Sequence, residues 1–95
     1  MTVVAITQIE GDKRELLSKY DEVVGKVLAD PPGGILSHTC LVLESGIRIA
    51  TVWENEEAAR AFYTGAAFQD ALKGAAMPST GPNAYYPVHN FRLFR

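Results

Sequence analysis

The sequence predicts an α+β domain with the element order β-α-β-β-α-β, and three features carry that expectation. A β-branched run opens the chain, TVVAITQI at 2–9. Two further β-rich runs, ILSHTCLVL at 35–43 and IRIATVW at 47–53, are separated only by Glu44, Ser45 and Gly46, which is hairpin spacing. Helical apolar periodicity fills the stretch before the hairpin and the stretch after it. This order is the split arrangement of ferredoxin-like domains, in which both helical segments cover one face of a four-stranded antiparallel sheet.

Each element follows from local chemistry. The first run is apolar on both parities, as a strand buried on both faces requires. Asp12 with Glu15 resembles a capping box, and Leu16, Leu17, Tyr20, Val23, Val24, Val27 and Leu28 recur at helical spacing behind it. Pro31, Pro32, Gly33 and Gly34 stop that helix. After the hairpin, Asn55 is placed to cap a second helix, with Glu56 and Glu57 in the first turn where the helix dipole favours negative charge. Ala58, Ala59, Phe62 and Tyr63 form its apolar face. Thr64 and Gly65 break it, and 66–73 resumes as a short helix with Phe68, Ala71 and Leu72 inward and Gly74 as its stop. The segment 74–87, GAAMPSTGPNAYYP, has no periodicity and reads as a long loop, serving as a lid, a dimer arm or a surface excursion. Residues 88–94, VHNFRLF, alternate and are assigned the last strand.

Ninety-five residues make one domain, 1–95, and a domain this small gains from oligomerisation. The helix-free sheet face is expected to be apolar and covered by a second copy, giving a homodimer through that face. Nine basic residues are scattered and the net charge is −2, so no positive stripe suits a nucleic acid. Cys40 is the single cysteine, which excludes an intrachain disulfide and a thiolate metal site; no metal ligand spacing occurs and no cofactor motif is present. No stretch has the length or flanks of a signal segment or a membrane span, so a cytoplasmic protein is expected.

The stretch 53–72, WENEEAARAFYTGAAFQDAL, resembles the dimeric α/β-barrel proteins related to antibiotic-biosynthesis monooxygenases. In that family a strand ends in Trp, an acidic turn and an Ala-rich helix with an inward aromatic follow, and a small-residue break leads to a second short helix containing Phe. The resemblance implies two sheets packed across a twofold axis, with a ligand pocket in each subunit between sheet and helices. Trp53 would wall that pocket or pack the helix onto the sheet. The haem-degrading relatives carry a second Trp at the position of Phe62 and an iron-binding His at the position of Leu72, which argues against haem here.

The family's cofactor-free oxygenases act on electron-rich polycyclic phenols, which reduce dioxygen themselves once ionised. Such a site needs an apolar slot, a base and donors for the developing oxyanion. His38 is the preferred base or donor: a two-residue Ser45-Gly46 turn would set it opposite Trp53, whereas a three-residue turn would send it to the other face. Tyr63 offers a phenol donor. Phe62, Phe68 and Leu72 are expected to line the pocket. Tyr86, with Tyr85, would close over a ligand or reach a neighbour, and either His89 or Asn90 would face the helices. Three functions remain open on these residues: an oxidising enzyme for an apolar, aromatic metabolite, a binding module that uses the same pocket, and an assembly protein whose pocket its own side chains fill.

Overall fold

The computed structural model describes residues 1–94. Its elements are β1 (Val3–Glu10), α1 (Lys13–Val27), β2 (Ile35–Leu43), β3 (Gly46–Trp53), α2 (Glu56–Tyr63), α3 (Ala66–Gly74) and β4 (Ala84–Pro87). The strands form one antiparallel sheet in the order β2-β3-β1-β4, the ferredoxin-like topology.

The expected caps form. Asp12 accepts a hydrogen bond from the Glu15 amide at 3.0 Å, but the Glu15 carboxylate turns to Lys19 at 3.4 Å instead of completing a capping box. Asn55 accepts from the Ala58 amide at 2.8 Å. The helical segment breaks at Thr64 and Gly65, as its composition predicts. The stop of α3 comes later than expected. The Met77 amide donates to the Leu72 carbonyl and the Ala76 amide to that of Lys73, so Ala76, at φ 53°, takes the left-handed position usually given to glycine. This closure turns Met77 into the core.

Alternation decides which face is buried. Val3, Ala5, Thr7 and Ile9 point to the helices and are all buried. On the same side, Ile9, Leu16, Val23, Ile47, Leu72 and Met77 belong to one core cluster, while Val3, Ala5, Trp53, Ala59 and Tyr63 form a second; Phe68 packs against both. The register puts Val4, Ile6, Leu41, Leu43, Ala50, Val52 and Tyr86 on the opposite, helix-free face. Leu41 and Tyr86 are 45% and 57% exposed there.

The hairpin differs in one respect from the sequence reading. Leu43 pairs with Gly46, so the loop is Glu44-Ser45 and His38 stands opposite Thr51 instead of Trp53. A slip of two residues preserves the face, since side chains repeat with period two. Gly46 can sit in the strand because it lacks a side chain: a Cβ there would overlap the Ile9 carbonyl oxygen. A bulge between Ile35 and Ser37 then brings Ile35 opposite Trp53, so Ile35 and His38 both face the helices despite their unlike parity.

The last strand is misplaced by the sequence reading. It is 84–87, inside the segment assigned to a loop, and 88–94 contain no strand. The reason is the length of β1. The Asn83 amide donates to the Ile6 carbonyl, Pro87 pairs with Val3, and the Val88 amide donates to the Thr2 carbonyl at 2.8 Å. An antiparallel strand has then reached the end of its partner, and the alternation in VHNFRLF has no ladder to join. Leu93 and Phe94 are exposed.

Candidate functional site

The two core clusters leave a seam between α1 and the sheet. A cavity of about 50 Å³ lies in this seam, bordered by α1, the inner faces of β2 and β3, Phe62, Phe68 and Leu72. Ligand pockets are commonly roughly 300–1,000 Å³, so in this conformation the enclosed space suits a water or two. Outside it, between the C-terminal end of α1 and the paired helices α2 and α3, runs an open groove of about 570 Å³ lined by Lys26, Asp30, Pro32 and Asp70 among others. Val27 and Phe62 border both spaces.

The cavity wall is mostly apolar, with Thr7, Tyr20, His38, Thr51, Tyr63, Trp53 and Ser79 supplying its polar groups. His38 projects from β2 with Nε2 at 2.6 Å from the Tyr20 hydroxyl of α1 and Nδ1 at 2.8 Å from the Thr51 hydroxyl of β3. The Tyr20 and His38 rings are nearly parallel, at 8°. At the other end, the fully buried Trp53 donates its indole N–H to the Tyr63 hydroxyl at 3.2 Å. Tyr20, His38 and Thr51 form one polar string and Tyr63 and Trp53 a second pair, and no buried side-chain nitrogen or oxygen among the described residues is left unpaired. Trp53, Phe62, Tyr63 and Phe68 form the aromatic floor, with adjacent ring centroids 5.1–5.6 Å apart.

Burial dominates the electrostatics. It pushes the Tyr20 phenol up to about 12, with Cys40 and Asp21 adding to the rise. Tyr63 is also raised by burial, against the opposing effect of the neighbouring Thr51 and Trp53 side chains. Both phenols stay protonated near neutrality. Cys40 rises for the same reason, with Asp21 contributing, so its thiol is a poor nucleophile.

Desolvation holds the His38 imidazole below its ordinary value. The sign of the resulting pH dependence follows directly. The unfolded chain takes up a proton as pH falls through about 6.5, the folded chain only at lower pH, so the unfolded state binds more protons in between and stability falls with pH there. Above about pH 6.5 this contribution is flat. Wild-type Tm is expected to drop more between about pH 7 and pH 5 than that of His38→Gln; parallel curves would contradict the burial.

Several residues picked from sequence meet here: His38, Trp53, Phe62, Tyr63, Phe68 and Leu72 all border the cavity. Two others do not. Tyr86 stands opposite Val4 on the helix-free face, and His89 lies beyond the end of β4, exposed to solvent. Both were assigned on the assumption that the last strand began after Pro87. Tyr85 takes the inward side instead, with the Arg60 guanidinium 4.3 Å above its ring. The segment after α3 closes on its own subunit: Met77, Ser79 and Gly81 border the cavity, and the Gln69 amide clamps the Tyr63 and Thr80 carbonyls. Sequence reasoning missed Tyr20 and Thr51. The usable signal was a phenol on the apolar stripe of α1, since a buried tyrosine hydroxyl needs a partner.

No protein-family model and no curated protein matches this chain. Solved structures match over almost its whole length. A Chloroflexus aurantiacus protein assigned as an antibiotic biosynthesis monooxygenase is 18% identical with a TM-score of 0.65, covering 97% of this chain and 98% of that one. A haem-degrading protein from Mycobacterium tuberculosis, 22% identical, also has a TM-score of 0.65 and covers 97% and 99%. A cofactor-independent oxygenase from Streptomyces nogalater, 17% identical, has the same TM-score and covers 95% and 92%. The chain shares the fold of the antibiotic-biosynthesis-monooxygenase-like proteins. Among the described residues no group of three or more His, Cys, Asp and Glu is arranged to hold a metal, and no helix is long and apolar enough to cross a membrane.

Proposed function

We propose that this chain is a small cytoplasmic homodimeric enzyme that binds an apolar, aromatic metabolite between sheet and helices and oxidises it with dioxygen, without a bound cofactor. The observation that carries this reading is that the Tyr20–His38–Thr51 string and the Tyr63–Trp53 pair border one mostly apolar cavity. They supply what a phenol that itself reduces dioxygen needs: an imidazole to take up a proton and a phenol donor in Tyr63 to hold the anion. The ionised substrate gives electrons to dioxygen, a carbon–oxygen bond forms, and phenol plus dioxygen become quinone plus water. The ligand enters from the open groove and joins it to the cavity as Val27 and Phe62 move apart. The second subunit covers the helix-free face.

Haem does not fit this site. Leu72, buried and aliphatic, occupies the position at which the resemblance to haem-degrading proteins would put an iron-binding His, and both ring nitrogens of His38 are already engaged. A non-catalytic binding role for the same pocket is the competing reading, favoured by the small enclosed volume. Oxygen uptake with a panel of hydroxylated naphthalenes and anthracenes separates the two. Turnover with a quinone product is the expected result; saturable binding without oxygen uptake assigns the pocket to binding alone.

A further inference from the structure

We propose that Tyr20 occupies the subsite for the ligand's own phenolic hydroxyl, so that an aromatic ligand binds by displacing Tyr20 from Nε2 of His38. This rests on the proposed function, in which His38 takes up the ligand's proton although neither ring nitrogen is open to receive it.

The obstacle is geometric. Nε2 of His38 lies 2.6 Å from the Tyr20 hydroxyl and Nδ1 lies 2.8 Å from that of Thr51. A ligand hydroxyl reaches the imidazole only by taking the place of one of them. Thr51 cannot give way, because it is 1% exposed and the β2–β3 register fixes it directly across from His38. Tyr20 can. It is half-buried on a helix, and its bond to His38 is the one hydrogen bond between α1 and the sheet among the described residues.

What Tyr20 presents is also the chemistry of the ligand class. It sets a phenol hydroxyl against Nε2, with the ring planes 8° apart, from within the cavity wall. A phenol is the more acidic of the two hydroxyls on His38, which assigns the donated hydrogen to Tyr20 and leaves Nδ1–H to donate to Thr51. A phenolic ligand makes the same bond to the same tautomer, so one hydrogen bond is exchanged for another. Space points the same way. The enclosed cavity of about 50 Å³ is far too small for an aromatic ligand. Tyr20, Val23, Val24 and Val27 line it from one stripe of α1, and Val27 also borders the open groove. Withdrawal of the Tyr20 ring lengthens the cavity along that stripe, and the ligand's ring takes the vacated volume. The built-in phenol is thus a competitor that selects for hydroxylated aromatics, since a bare arene cannot replace the bond it breaks.

The test measures binding with oxygen excluded, so it holds or fails independently of oxidation. The probes are 2-naphthol, p-cresol and, lacking the hydroxyl, toluene. In wild-type protein the nuclear Overhauser contact between the Tyr20 and His38 rings is expected to vanish as 2-naphthol is titrated in. Tyr20→Ala vacates the subsite and should bind p-cresol about tenfold more tightly than wild type does, with a smaller gain for toluene. Tyr20→Leu, which keeps an apolar side chain against the sheet, should show the same preference and serves if the alanine variant folds poorly. A Tyr20–His38 contact that persists throughout the titration, a variant that binds p-cresol no more tightly than wild type, or equal gains for p-cresol and toluene overturns the proposal and leaves Tyr20 a structural strut. Oxygen uptake with that contact intact sinks the subsite and spares the oxidising reading. Displacement without oxygen uptake keeps the subsite and assigns it to binding alone.

Discussion

Trp53→Ala is expected to destabilise the folded chain by about 3–5 kcal/mol, the range for removing a buried large aromatic. The indole is fully buried, packs against Phe62 and Tyr63 at centroid distances of 5.3 and 5.6 Å, and closes the sheet end opposite Val3 and Ile35. Removing it creates a void among side chains already locked by the helix break at Gly65, so collapse is limited. It also leaves the Tyr63 hydroxyl without its fixed donor. Urea unfolding of Trp53→Ala and Trp53→Phe separates these effects. The phenylalanine variant keeps most of the packing and loses the N–H, and a cost of about 1 kcal/mol is expected from it. An alanine cost below roughly 1.5 kcal/mol would show that the helices slide into the space, and the aromatic floor would then not be the rigid element taken here as the pocket wall.

The same tryptophan shows how much of the protein is legible in its sequence. Its position between a β-rich run and an Asn-capped helix follows from composition, as do the hairpin and the break at Thr64 and Gly65, because each depends on neighbours in the chain. The partner of the fourth strand does not. AYYP and VHNFRLF are comparable β-runs, and the choice between them is made by where β1 ends. Nor does sequence spacing reveal that Tyr20 meets His38, since their contact depends on the azimuth of α1 over the sheet. Thr51 looks like any β-branched strand residue until the Glu44-Ser45 loop sets it beside His38. Local chemistry gives the elements; the polar chain arises only from their packing.

That polar chain sets the largest functional effect. His38→Gln is expected to lower turnover of a phenolic substrate by roughly 10²–10⁴-fold, the usual contribution of a positioned acid–base group. Glutamine fits because its amide can still bond to Tyr20 and Thr51, avoiding the two orphaned hydroxyls that alanine would leave, but it cannot accept and release a proton near neutrality. His38 points to the helices and away from the helix-free face, so light scattering should report the same assembly for both proteins. Binding of the substrate should also persist, because the aromatic floor of Trp53, Phe62 and Phe68 is untouched. A variant that binds normally and turns over slowly places His38 in the chemistry. Equal turnover in both proteins would remove the imidazole from the reaction and leave ionisation to solvent. Loss of binding with intact residual turnover per bound ligand would assign His38 to holding the pocket open, since its ring is the polar strut between α1 and β3.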